Sequence, residues 1–229
     1  MSKAIVLLSG GQDSTTSLYW ARREFGDVLA LSVLYGQRHR NELNGAAHIA
    51  SMAGIPHEVV DIGTLLSALG GSALVDASKP LTLEGGIPDA AMPQGLPSSF
   101  VPGRNLFFLS VAAVHAAHAG VKDLVTGVCQ TDYSGYPDCR RPFIDSLEQT
   151  LTLAMPSSLG PFKIHTPLMD LTKAQTVQMA KELPGCWDAL RFTVTCYEGK
   201  RPGCGVCAAC VLRKKGFDDA GEQDPAEAA

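Results

Sequence analysis

What these 229 residues lack excludes several functions at once. No apolar run approaches the ~20 residues that a membrane-crossing helix needs, so no membrane partner is expected. The apolar stretch near the N-terminus is short and has no cleavage-site pattern of a signal peptide, so the expectation is an intracellular, cytoplasmic enzyme. The net charge is only −4. A strong electrostatic footprint for nucleic acid is therefore missing, and no nucleic-acid partner is expected. No internal repeat is evident. The six histidines show no ligand spacing; His57, His115, His118 and His165 read as structural, while His39 sits near a strand's end. Also absent is the Gly-Lys-Ser/Thr ending of a Walker A loop, whose lysine reaches the β- and γ-phosphates.

What is present begins with Ser9-Gly10-Gly11-Gln12-Asp13-Ser14. An apolar run, Ala4 to Leu8, precedes it and reads as a buried parallel strand. Thr15 to Phe25 follows and reads as a helix with apolar Leu18, Trp20, Ala21 and Phe25. Gly10 and Gly11 allow main-chain N–H groups to approach a ligand closely. The helix start turns its unpaired N–H groups and positive dipole end to the same spot, and Ser9, Ser14 and Thr15 add hydroxyls. This is a site for an anion, most simply a phosphate or pyrophosphate.

The rest of the chain continues the rhythm of a parallel sheet. Strands are expected at Val28–Leu34, Glu58–Ile62, Leu124–Val128 and Ile164–Leu168. Helices are expected at Asn41–Gly54, Asn105–Ala119, Pro142–Ala154 and Thr172–Leu183. With 45% hydrophobic residues, one substantial core is affordable, with or without a small appendage. In an open sheet, ligands lie beyond the carboxyl ends of the strands. That gathers Ser9–Ser14, Tyr35–His39, Asp61 and Cys129–Arg140 around one crevice. Gly85–Ser99 is long and rich in glycine and proline, and reads either as a lid or as a solvated insertion. The tail after Asp218 is too polar to pack and is expected to be disordered.

Two clusters carry further chemistry. Thr131 to Arg140 packs two carboxylates, two phenols, two aliphatic hydroxyls and an arginine into ten residues, and is either a solvated loop or a substrate-reading loop. Cys196, Cys204, Cys207 and Cys210 give C-x7-C-x2-C-x2-C, with Gly203 and Gly205 flanking the second cysteine. Four thiolates suit a closed, structural zinc site; an iron–sulfur cluster is the alternative, weakened by the missing continuation x3-C-P. Cys129 and Cys186 read as small hydrophobes, and Cys139 lies in the polar loop.

Ser-Gly-Gly-x-Asp-Ser resembles the PP-loop of the ATP pyrophosphatases. Together with Val-Pro-Gly-Arg-Asn at 101–105, Asp-Tyr-Ser-Gly-Tyr-Pro-Asp-Cys-Arg at 132–140 and the C-terminal cysteines, it is similar to the 7-cyano-7-deazaguanine synthase family, from about Lys3 to Phe217. Ser17 departs from the cysteine often found there in the family, so a thiol at that position is not needed for the chemistry. The resemblance implies an α/β, Rossmann-like parallel sheet of PP-loop type over 1–190, a small zinc-binding element over 191–217 and a disordered tail over 218–229. It also implies a possible homodimer, ATP with Mg2+ as co-substrate, and one structural Zn2+ held by Cys196, Cys204, Cys207 and Cys210. The implied reaction turns 7-carboxy-7-deazaguanine and ammonia into the nitrile through adenylated intermediates, in queuosine biosynthesis.

On this resemblance ATP is held by Leu8, Ser9, Gly10, Gly11, Gln12, Asp13, Ser14, Thr15, Thr16, Ser17 and Leu18. Asp13 orients the loop or helps hold Mg2+. Arg104, Arg140 and Lys173 are candidates for the phosphates or the substrate carboxylate. Asp132 or Asp138 is a candidate acceptor for guanine-type N–H groups, and Tyr133 or Tyr136 for stacking. Two rival readings are a tRNA-modifying PP-loop enzyme, which would adenylate a base, and a non-catalytic nucleotide-binding zinc module.

Overall fold

Five strands pair in parallel in the order β3-β2-β1-β4-β5: β1 Lys3–Leu7, β2 Asp27–Leu34, β3 His57–Asp61, β4 Asp123–Val125 and β5 Lys163–His165. The computed structural model describes residues 2–36, 41–63, 99–131 and 136–227. His39, Asp132, Tyr133 and nearly all of the 85–99 loop lie outside the described residues. The central strand β1 pairs Ile5 with Leu29 on one side and with Leu124 on the other. Its side chains alternate between two cores, as the period-2 pleat requires. Ala4, Val6 and Leu8 enter one core; Ile5 enters the other.

Helices cover both faces. On the first lie α1 (Gln12–Glu24), α2 (Asn41–Ala53) and, from further along the chain, Lys173–Glu182, Cys186–Leu190 and Ala208–Ala220. On the second lie α3 (Arg104–His118) and α4 (Arg141–Ala154), through Leu109, Ala112, Ala116, Ile144, Leu147 and Leu151. The three later helices of the first face are α5 (Lys173–Glu182), α6 (Cys186–Leu190) and α7 (Ala208–Ala220). No helix among the described residues is long and apolar enough to cross a membrane.

The chain leaves β1 for β2 and β3 on one side and comes back to β4 and β5 on the other. The carboxyl ends of β1 and β4 therefore meet at the switch point, where open α/β sheets bind ligands. Gly127, just past β4, touches the start of α1 there: a Cβ on it would lie 2.9 Å from the Asp13 carbonyl oxygen. Only hydrogen fits in that space.

Two sequence expectations need correction. α1 begins at Gln12, not Thr15, because Gly11 is extended and serves as the N-cap (φ −84°, ψ 169°). The disordered tail expected from Asp218 does not start there. α7 runs on to Ala220, and Asp224 and Ala226 are buried. Polarity misled because Asp224 is neutralised by a buried partner, Arg213, that composition does not reveal. The short helix α6 and the helix α7 were not read from periodicity; α7 follows the cysteines and is anchored by Phe217 in the first core.

Candidate functional site

At the end of β1 the backbone turns through Gly10, whose φ of +86° favours glycine. A Cβ there would also lie 2.3 Å from the carbonyl oxygen of Glu42, so the loop packs directly on the first turn of α2. Gly11 differs. A Cβ on it would meet Ser9 Oγ at 3.5 Å, ordinary contact, and the residue faces open space in a cavity of about 340 Å3. Leu8, Ser9, Gly11, Gln12, Asp13 and Ser14 line that cavity. Gly10, Thr15, Thr16, Ser17 and Leu18, also expected at the nucleotide, do not. The last four are fully buried, and the Thr15 and Thr16 hydroxyls donate back to the carbonyls of Gly11 and Gln12 at 2.8 and 3.1 Å. They build the helix that presents the loop.

Asp13 Oδ2 pairs with Lys173 Nζ at 2.5 Å. Lys173 opens α5, whose start is fixed by a capping box: Thr172 Oγ1 accepts from the Gln175 N–H, and the Gln175 side chain accepts from the Thr172 N–H. Across from it, Gly216 of α7 lets α5 come close; a Cβ there would be 2.8 Å from Lys173 Cβ. Residues 160 apart in sequence thus meet over the loop. Asp13 Oδ1 and Gln12 Nε2 are buried with no hydrogen-bond partner among the described residues. Orphaned polar atoms beside a cavity fit a polar ligand.

Arg104 opens α3 and lines the cavity with Tyr35, Tyr136 and Tyr197. Burial opposes its charge, but the three phenols and Asp138 facing it outweigh burial and push its pKa up. Burial pushes Tyr35 and Tyr197 up as well. Tyr136 is fixed by a 2.6 Å hydrogen bond between its hydroxyl and Ser99 Oγ. Asp138 is buried but is not part of the cavity lining. Its Oδ2 accepts the Asn105 N–H at 3.1 Å, so it anchors the start of α3 and sets Arg104 from behind. Burial raises its pKa against that hydrogen bond and the charge of Arg104. Arg140 is the N-cap residue of α4 and also lies off the cavity lining. Cys129 and Cys139 do line it, Cys139 Sγ accepting from Asn105 Nδ2 at 3.2 Å. Cys186 is a core residue whose thiol burial pushes up to about 12.

Glu42, Thr195 and Arg213 line the cavity and were not singled out from sequence. For Glu42 a signal existed: a carboxylate in the first turn of the helix after β2, at the carboxyl edge of the sheet. Thr195 and Arg213 had none, since only the fold brings the C-terminal segment behind the loop. There Val194 N–H donates to the Gly10 carbonyl at 2.9 Å, and Gln12 N–H reaches Thr195 Oγ1 at 3.4 Å. The histidines expected to be structural include His165, paired with Asp123 at 2.7 Å, and His115, paired with Glu58 at 3.0 Å.

Next to this segment the sulfurs of Cys196, Cys204, Cys207 and Cys210 all lie within 4.8 Å of one another. Cys204 and Cys210 are 3.9 Å apart. Zinc bonds of about 2.3 Å in a tetrahedron put sulfurs ~3.8 Å apart. The four cysteines form a cluster that could hold a metal ion and is consistent with zinc. Gly203 makes the room: a Cβ on it would lie 2.5 Å from Cys210 Sγ.

The family described as "Queuosine biosynthesis protein QueC" matches residues 3–221. The chain belongs to the QueC family. QueC relatives include the 7-cyano-7-deazaguanine synthase of Laribacter hongkongensis, 53% identical over 97% of this chain and 93% of that protein. The synthase of the same description from Chromobacterium violaceum is 52% identical over 97% and 92%. The activity is that of the QueC family: ATP-dependent 7-cyano-7-deazaguanine synthesis in queuosine biosynthesis. Two solved structures share the PP-loop type of fold with this QueC chain. A 4-thiouridine synthetase–RNA complex with bound ATP has a TM-score of 0.52 at 17% identity, covering 95% of this chain and 53% of that one. The NMN synthetase of Francisella tularensis has a TM-score of 0.50 at 16% identity, covering 97% and 78%.

Proposed function

We propose that the chain makes its nitrile from 7-carboxy-7-deazaguanine and ammonia by two successive adenylations, each releasing AMP and pyrophosphate. Turning a carboxylate into a nitrile removes two oxygens, and each must leave as something better than hydroxide. Attack of the carboxylate on the α-phosphate expels pyrophosphate; ammonia then displaces AMP to give the amide. Adenylation of the amide oxygen and loss of AMP give the nitrile. The protein's part is positioning and charge neutralisation. The loop amides with Ser9 and Ser14 hold the phosphates, and Lys173 offsets their charge. Asp13, with one oxygen on Lys173 and the other unpartnered, fits a Mg2+ ion that would supply further neutralisation at the phosphates. Arg104 faces the substrate carboxylate. Asp138 gives Oδ2 to the Asn105 N–H and keeps a buried Oδ1 with no hydrogen-bond partner among the described residues, so Asp138 or Asp132 accepts the guanine-type N–H edge. One zinc ion on the four cysteines holds the 193–195 segment against the loop.

The observation that carries this reading is the Lys173–Asp13 pair at 2.5 Å. It puts a cation, brought from a distant helix, beside a glycine loop that has no lysine of its own. The test is incubation with ATP, ammonia and the acid, with mass detection of the nitrile and analysis of the nucleotide products. AMP and pyrophosphate are expected. ADP and phosphate would overturn the reading.

A further inference from the structure

The two-adenylation route leaves one need unmet. The substrate nitrogen must lose two protons between amide and nitrile, and none of the groups assigned above accepts them. We infer that Glu42 is the catalytic base that takes these protons from the substrate nitrogen. This rests on the two-adenylation reading.

Two carboxylates line the cavity among the described residues, Asp13 and Glu42. Asp13 gives one oxygen to Lys173 at 2.5 Å, and its other oxygen is the one proposed for Mg2+. Glu42 sits in the first turn of α2, and its own carbonyl oxygen is what Gly10 packs against. The residue is thereby fixed to the loop that holds the nucleotide. The charged and titratable groups that act on it are Arg104 from α3 and Tyr35 from the end of β2. Burial raises the Glu42 carboxyl to about 7, and the positive charge of Arg104 limits the rise. A base working at neutral pH is best matched with a pKa near that pH. The other acidic side chains at hand serve worse. Asp138 lies off the cavity lining, and the phenols of Tyr35 and Tyr197 are pushed upward, away from neutrality.

The step balances as follows. The amide oxygen bonds to the α-phosphorus as the bridging bond to the β-phosphate breaks and pyrophosphate leaves. One N–H proton passes to Glu42 and on to water, leaving the O-adenylated imidate. The second N–H proton then passes to Glu42. The N–H bonding pair becomes the third carbon–nitrogen bond, while the C–O bond breaks and AMP departs with the C–O bonding pair. Nothing is oxidised or reduced.

The test supplies the amide directly, so that the titration of ammonia drops out of the pH profile. Wild-type amide conversion should rise with pH through about 7. Glu42→Gln should lower kcat about 10²–10⁴-fold, lose that limb, and keep wild-type ATP affinity and thermal midpoint. Glu42→Asp should restore part of kcat and the limb. A Gln variant with the wild-type profile overturns the inference. So does a Gln variant that raises KM for acid and amide alike with kcat unchanged, since Glu42 would then read the base. A wild-type enzyme that converts no amide at all would instead sink the two-adenylation reading. If Glu42→Gln fails to fold, the pH profile of Glu42→Asp decides: a limb displaced from the wild-type position supports the base, and an unmoved limb overturns it.

Discussion

Arg213 grips Asp224 with two hydrogen bonds, Nε to Oδ2 at 2.6 Å and Nη2 to Oδ1 at 2.8 Å, both side chains about 9% exposed. The same guanidinium donates through Nη1 to Thr193 and Thr195 at 2.7 and 2.8 Å. Thr195 in turn accepts the N–H of Gln12. A residue near the C-terminus is thus connected to the nucleotide loop through three named contacts.

Removing one partner of a buried pair leaves the other charge uncompensated, at a cost of about 3–5 kcal/mol. Asp224→Ala should therefore lower the denaturant midpoint clearly and weaken ATP binding, because Arg213 no longer holds the 193–195 segment. Chemical denaturation and calorimetric ATP titration measure the two. An unchanged midpoint would mean that the pair is solvated in solution.

Gly10 and Gly11 should separate fold from ligand. Gly10→Ala meets both a left-handed backbone, costing roughly 1–2 kcal/mol, and a contact of 2.3 Å with the Glu42 carbonyl oxygen. It should be strongly destabilised or insoluble. Gly11→Ala has no such obstruction in the protein. It should melt like the wild type yet bind ATP more weakly, since the added methyl occupies the space of a phosphate. Wild-type ATP affinity in Gly11→Ala would show that the loop does not approach the phosphates closely.

Lys173→Ala removes the cation over the loop. Loss of one preorganised charge partner in such a site costs on the order of 10²–10³ in kcat, and steady-state kinetics with saturating ATP would show it. Gly216→Ala should produce a milder version by pushing α7 against Lys173 Cβ, 2.8 Å from the new methyl. Activity within twofold of wild type in Lys173→Ala would reduce the Asp13 pair to a structural contact.

Cys207→Ala should release the metal and loosen the segment from Thr193 to the end of α7, since metal binding is coupled to folding here. Gly203→Ala, which crowds the Cys210 sulfur, should weaken metal retention without removing any ligand. Elemental analysis after dialysis against a chelator gives the metal per chain. One zinc in the wild type and much less in both variants is expected; full retention in Cys207→Ala contradicts a four-thiolate site.

The parallel sheet, the helices over 41–54 and 105–119 and the glycine loop were legible from local pattern alone. Each follows from short-range rules: an apolar run, a 3.6 spacing, a glycine where the chain must turn. The four cysteines were legible too, because thiolate spacing within one short segment is itself local. Which loop residues face the cavity was not legible. From Leu8 to Ser14 all but Gly10 line the cavity, but from Thr15 to Leu18 the same motif turns into the core, and only packing decides that boundary. Asp138 looked like a contact residue in a polar run; its Oδ2 accepts the Asn105 N–H at the start of α3, since an unpaired N–H at a buried helix start needs an acceptor. The role of Glu42, and of Arg213 with Asp224, depended wholly on tertiary structure. A carboxyl raised to about 7 needs surrounding protein to exclude water, and a buried ion pair needs two segments that the sequence does not mark as neighbours. Local chemistry in the sequence determined the motif and the metal ligands; long-range burial decided which charged groups face the cavity and in what state.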